Sequence, residues 1–357
     1  MRLKNLWTLL AVGVLSFGLV AGCGDDDGAG TNENENPYPC NNDGTCDPDE
    51  DRAWCADCAI SCDLQEGDNY DYIISQLVLP ESSSDEIGVD LDGDGTIDNK
   101  LGALLSLVPS DPGTASPNEA VDASIQNGSI VMLGRLVVSD WTSDEAMAVQ
   151  VFQGDTTDAT EDNFDVGNNN ASIAPDFDRT LHLCGELTSG YVEAGPSDLV
   201  ISLTFGGIDL NITLNKAQVV AMESPMTEDD WTDVMIGGGV SKETINNDII
   251  PVVVDFLNEE TIADPEGGVG SFVTGSLDGD CSSVPEGCES VVAGEGECAV
   301  WDPNTEPDGP VITETEIRCS NLFATALKPD VDSDGDGEKD LVSLGVMVSA
   351  VSITIDN

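Results

Sequence analysis

Two stretches of closely spaced carboxylates are the residues best placed to do chemistry. The first runs Asp90-Leu91-Asp92-Gly93-Asp94-Gly95-Thr96-Ile97-Asp98, and the second runs Asp332-Ser333-Asp334-Gly335-Asp336-Gly337-Glu338-Lys339-Asp340. Both fit D-x-D-x-D-G-x-x-D. Carboxylates on alternate residues of a tight loop repel one another, and nothing inside the loop compensates them. A hard divalent cation resolves the conflict by gathering their oxygens. The bland alternative is a solvated acidic turn holding no ion, and the repeat of one spacing at two places weighs against it.

Each stretch resembles, over its nine residues, the calcium loops of EF-hand-like, dockerin and thrombospondin type 3 repeats. The resemblance implies calcium as a structural cofactor. The implied ligands are Asp90, Asp92, Asp94, the Thr96 carbonyl and Asp98 in the first loop. In the second they are Asp332, Asp334, Asp336, the Glu338 carbonyl and Asp340, with Gly95 and Gly337 making the sharp turns. Both loops depart from the pattern where a bidentate Glu is expected, since Leu101 and Ser343 stand there. That departure implies a weak, extracellular type of site, with Kd on the order of 10⁻⁴ to 10⁻³ M.

Other chemistry finds little support. The chain has one histidine, His182, so any histidine-based triad would have to use it. No catalytic residue is assigned. Histidine zinc hydrolase sites need more histidines. A glycosidase needs only two carboxyls, but 69 acidic residues make such pairs uninformative. Gly237-Gly238-Gly239 lacks the pattern of a phosphate loop.

The formal net charge is -58, from 69 acidic and 11 basic residues in 357. Nucleic acid is thereby disfavoured as a partner, because phosphate contacts need Lys and Arg. Docking on anionic lipid by charge alone is disfavoured too. A hydrophobic content of 40% nevertheless supplies a core.

At the N-terminus, Arg2 and Lys4 precede the apolar run Leu6 to Val20, which ends in Leu19-Val20-Ala21-Gly22-Cys23. This resembles the signal peptide and lipobox of bacterial lipoprotein precursors. The resemblance implies removal of residues 1–22, lipidation of Cys23 and attachment to the cell envelope. Gly24 rather than Asp after that cysteine implies the outer membrane. An ordinary secretory signal with a chance cysteine is the alternative. Residues 23–39 read as a flexible acidic tether.

Cys40, Cys46, Cys55, Cys58 and Cys62 crowd residues 40–68, a segment with almost no apolar content. In an oxidising compartment this is a disulfide-stapled module, similar to short Cys-rich modules of bacterial surface proteins. Trp54-Cys55-Ala56-Asp57-Cys58 also mimics a redox motif, but no flanking strand and helix support it, and a zinc site is a further alternative. Cys184, Cys281, Cys288, Cys298 and Cys319 follow. Each group is odd, so one cross-link between module and body is expected, with the pairing open.

These residues must be held by a body spanning 69–357, bracketed by the two acidic loops. Alternation of period two dominates it. Leu199, Ile201, Leu203 and Phe205, then Gly206-Gly207, then Ile208, Leu210, Ile212 and Leu214 predict an antiparallel hairpin. Lys242 to Glu259 predicts a helix kinked or split at Pro251. Residues 264–310 read as a disulfide-bound insertion, and Val346 to Ile355 as a final strand with a bulge near Ala350. The expected fold is mainly β: an antiparallel sandwich or curved sheet or barrel with one or two helices, preceded by the small disulfide module.

Two functions from different classes fit. One is a calcium-stabilised envelope lipoprotein, anchored in the membrane, that binds an unknown protein, glycan or lipid or serves structure, with carriage of an apolar ligand as a variant. The other is a carboxylate-dependent glycan hydrolase.

Overall fold

The computed structural model describes residues 58–80, 85–93, 95–101, 117–156, 169–205, 208–221, 224–279, 311–333 and 337–356, together with Phe164, Cys281, Cys288, Cys298 and Val300. The signal, the tether, Cys23, Cys40, Cys46, Cys55, Asp94, Asp334, Asp336 and the Gly206-Gly207 turn lie outside these residues.

Eight antiparallel strands close into a barrel. They are β1 (Asp68–Val78), β2 (Met132–Val138), β3 (Ser143–Gln153), β5 (Leu183–Thr188), β6 (Tyr191–Phe205), β7 (Ile208–Ala221), β8 (Asp230–Ser241) and β9 (Leu341–Ser352). Each pairs with its neighbour along the chain, and β9 returns to pair with β1, which abolishes the sheet edge. Two short strands, β4 (Asn170–Ser172) and β10 (Thr354–Asp356), pair in parallel outside the barrel. The expected hairpin is present, with Leu199 opposite Leu214, Ile201 opposite Ile212 and Phe205 opposite Ile208.

Alternation decides which side chains fill the barrel. Met147, Val149 and Val151 of β3 and Leu183 and Leu187 of β5 join one apolar core. At its centre Trp231 lies against Tyr72, ring centroids 4.7 Å apart. The indole needs Gly134 beneath it, because a Cβ there would fall 2.5 Å from the ring. The Tyr72 hydroxyl donates to the Thr227 carbonyl at 2.8 Å, so the ring is buried with its polar end satisfied. Trp231 and Tyr72 are at most 1% exposed, so this interior is packed with side chains.

The phase change expected near Ala350 is present, but the irregular residues sit on the strands beside it. Ser75 is skipped between β1 and β9, and the β8–β9 register shifts between Trp231 and Val234. Gly237, Gly238 and Gly239 are strand residues of β8, not a loop.

The helices are few. Helix α1 (Pro117–Gln126) packs beside β1, where the Asn118 amide bonds both backbone groups of Leu79. The long helical stretch begins as α2 (Lys242–Thr244), widens into a π turn (Ile245–Ile249) and continues as α3 (Ile250–Ala263). Pro251 explains the widening, since it has no N–H to give, and the Ile250 N–H reaches back five residues to the Ile245 carbonyl. The chain thus accommodates the proline without breaking. Helix α4 (Gly268–Phe272) follows, then α5 (Glu314–Cys319) and α6 (Asn321–Ala326). Glu316 of α5 accepts from the Gly279 and Thr313 N–H groups, tying the 264–310 insertion to this helix. Burial nonetheless holds its carboxyl above the usual carboxylate range.

Three disulfides are described. Cys62–Cys184 fastens the Cys-rich module to β5, as one module-to-body link requires. Cys281–Cys298 closes within the insertion, and Cys288–Cys319 fixes the insertion to α5.

On the outer wall Asp71 and Arg135 face each other across β1 and β2. They form a two-point ion pair at 2.5 and 3.1 Å, with side chains only 14% and 11% exposed. The Asp71 carboxylate also accepts from Ile355 N, which holds β10 in place. Replacing Asp71 with Asn strands a largely buried guanidinium. The expected loss is about 3 kcal/mol by urea denaturation, and a change under ~1 kcal/mol would contradict this reading.

Candidate metal centre

The two acidic loops share one hydrogen-bond frame. In the first, Asp90 Oδ2 accepts from Gly95 N at 2.8 Å, and in the second Asp332 Oδ2 accepts from Gly337 N at 2.7 Å. The last aspartate then reaches back to the second residue of the loop: Leu91 N donates to Asp98 at 2.7 Å, and Ser333 N to Asp340 at 2.8 Å. Each loop closes with a backbone bond from that last aspartate to the residue before the motif, Asp98 N to Val89 O and Asp340 N to Val331 O. The repeat in sequence is therefore a repeat in structure.

The loops meet on the outer wall of the barrel. Val89 and Leu91 of the first pack with Val331 and Leu341 of the second in a small apolar cluster. Beneath them Gly237 and Gly345 lie opposite each other on β8 and β9. A Cβ on Gly237 would fall 2.5 Å from the Val89 side chain, and one on Gly345 would fall 2.5 Å from the Gly88 backbone. These glycines give the first loop a smooth wall to press on. Asn99 then clamps it: its amide donates to the Ile87 and Gly345 carbonyls and accepts from Gly345 N.

The two positions where a further ligand was expected have other work. Leu101 is buried in the barrel core. Ser343 is fully buried, accepts from Lys100 N and donates to Asp330. Both anchor their loops to the body. Asp330, just outside the motif, and Lys339 were not singled out from the sequence. Lys339 Nζ lies 3.3 Å from Asp92 Oδ2 and donates to the Asp330 carbonyl, bridging the loops.

Asp90, Asp92 and Asp98 each offer one carboxylate oxygen, and the three lie within 4.8 Å of one another. Asp90 Oδ1 is buried and accepts no hydrogen bond. Asp98 is pushed from 3.8 to about 7, first by burial, then by the neighbouring Asp92, Asp330 and Asp90, against the lowering bond from Leu91 N. A buried acceptor without a donor among mutually repelling carboxylates is suited to a metal ion. For the second loop the described residues give the frame, through Asp332 and Asp340, but not a converging group. Thr96 and Glu338 lie on the exposed side of their loops.

A second convergence of ligand-type residues is Cys62, His182 and Cys184. Its two sulfurs are joined as a disulfide, so they are not free thiolates for a metal. Cys58 is disulfide-bonded as well. His182 sits just before β5 with Nδ1 2.8 Å from the Thr180 carbonyl.

No protein family, curated protein or solved structure matches the chain.

The raised Asp98 carboxyl has a definite pH signature. Without a divalent cation the folded protein keeps a proton there that the unfolded chain releases near 3.8. Stability from this group is therefore full at low pH and is lost as pH rises to about 7. Asp98→Asn removes that loss. In chelator, the variant should gain stability relative to the parent as pH is raised from 4 to 7, read by thermal melting at each pH. A difference that stays flat across this range would contradict the assignment.

Proposed function

We propose that the protein is a calcium-stabilised lipoprotein of the cell envelope, held to the membrane through Cys23, with a binding or structural role rather than a catalytic one. The observation that carries the ion half of this reading is the buried, donor-less Asp90 oxygen beside Asp92 and Asp98. Calcium is favoured over magnesium because one flexible loop offers several protein oxygens, where magnesium usually keeps its waters, and because the loop resembles calcium loops of exported proteins. The ion would order the first loop where it rests on β8 and β9, which is a structural role.

The anchoring half rests on the lipobox-like segment Leu19 to Cys23. The barrel is built unlike one that spans a membrane. Its apolar side chains point inward, the reverse of a lipid-spanning barrel with a polar lumen. Among the described residues no helix is long and apolar enough to cross a membrane. The disulfides suit an oxidising compartment outside the cytoplasm. Carriage of an apolar ligand inside the barrel is disfavoured, because Trp231, Tyr72 and Met147 occupy that space.

Two measurements separate the halves. Calcium titrated into the chelator-treated protein at about 10 mM should stabilise it by about 1 to 3 kcal/mol, and Asp90→Asn should abolish most of this. No shift in melting temperature would remove the ion. Cells fed a labelled fatty acid should label the parent but not Cys23→Ser, and label retained by that variant would remove the proposed anchor.

A further inference from the structure

The chain is acidic almost everywhere, yet one cavity carries the opposite charge. It has a volume of about 600 Å³ and opens between the π turn after α2, helices α5 and α6, and the start of β9. Lys242, Arg318 and Lys328 line it, and none of its described lining residues is Asp or Glu. Against 11 basic and 69 acidic residues in the whole sequence, three cations in one cavity is a concentration of rare charge.

The remainder of the lining is largely apolar, with Ile250, Leu327 and Val342 among it. The cavity therefore offers an aliphatic floor and a cationic rim. Its frame is well held. The Cys288–Cys319 disulfide forms part of the wall. Arg318 is fixed by its Nη2, which donates to the Asn246 carbonyl at 3.0 Å and to Glu314 at 2.6 Å. Glu314 offsets part of that one charge. Lys100 Nζ donates to the Lys328 carbonyl at 2.6 Å, which adds a fourth cation beside the rim.

We infer that this cavity binds a small organic anion, a carboxylate carrying an aliphatic body. A carboxylate matches the cations, and charge-assisted bonds from Lys and Arg are stronger than neutral ones. The apolar body matches the floor, and the volume is within the ordinary range for small-molecule sites. The surrounding negative field works against long-range capture of an anion, but at physiological salt it is screened within ~8 Å, so contacts inside the cavity decide binding. A bare inorganic anion would leave the apolar floor unused, and a neutral amphiphile would make no charge-assisted bond to the rim. The inference goes beyond the anchoring and ion proposals and rests on neither.

The test uses the full chain and calorimetric titration with decanoate, decanol, acetate and inorganic phosphate, in chelator and again in calcium. Decanoate should bind roughly tenfold or more tightly than decanol or acetate, and added salt should weaken decanoate but not decanol. Lys242→Gln with Lys328→Gln should erase the preference for decanoate over decanol while the melting temperature holds. Lys328→Glu alone serves if the double variant does not fold, and should weaken decanoate by roughly tenfold. Equal binding of decanol, a preference for phosphate, unchanged affinity in the folded variants, or no decanoate binding would each overturn the inference.

Discussion

Like charges forced together against a solid wall are the constraint on which the candidate site depends. Asp90, Asp92 and Asp98 converge because the backbone of their loop closes on itself and because Gly237 and Gly345 let it press close to the barrel. Closure fixes the carboxylates, and docking removes water from them. Neither step supplies positive charge to the buried Asp90 oxygen. Lys339 reaches Asp92 from outside, but its 51% exposed side chain is a weak partner in solvent. A divalent cation would compensate all three groups at once and so turn the least favourable part of the wall into a clasp.

The barrel makes the clasp consequential. Strand β9 closes the barrel by pairing with both β1 and β8. The first loop descends from β1, and the second leads into β9. Val89 and Leu91 packed on Val331 and Leu341 fix the loops to each other, and so fix the seam at which the ends of the body meet. The Asp71–Arg135 pair holds β10 near the other end of β1, and the Cys62–Cys184 disulfide ties the preceding module to β5. A strongly acidic chain resists compaction by self-repulsion, and these devices bind together segments far apart in sequence.

Local features were legible in the sequence and long-range ones were not. The hairpin through Leu199 and Leu214 was visible because alternation and a glycine pair are local signals. The two loops were visible because their geometry is closed within about nine residues. An odd cysteine count in each group foretold a link between module and body, but only folding shows that it joins Cys62 to Cys184. Closure rather than a sandwich depends on β1 meeting β9, a contact no window of sequence contains. Gly237 to Gly239 have the composition of a loop yet form strand, since their lack of side chains answers Val89, Leu214 and Leu341 packed against them. Asn99, Ser343 and Asp330 anchor the site through such distant bonds and carry no local signature.

The most direct test of the central claim is to locate the ion by anomalous scattering from crystals of the protein grown in calcium. A peak 2.3 to 2.6 Å from oxygens of Asp90, Asp92 and Asp98 is the predicted result, as expected for calcium bound to carboxylates. A well-ordered first loop with no peak among these oxygens, at saturating calcium and neutral pH, would contradict the account.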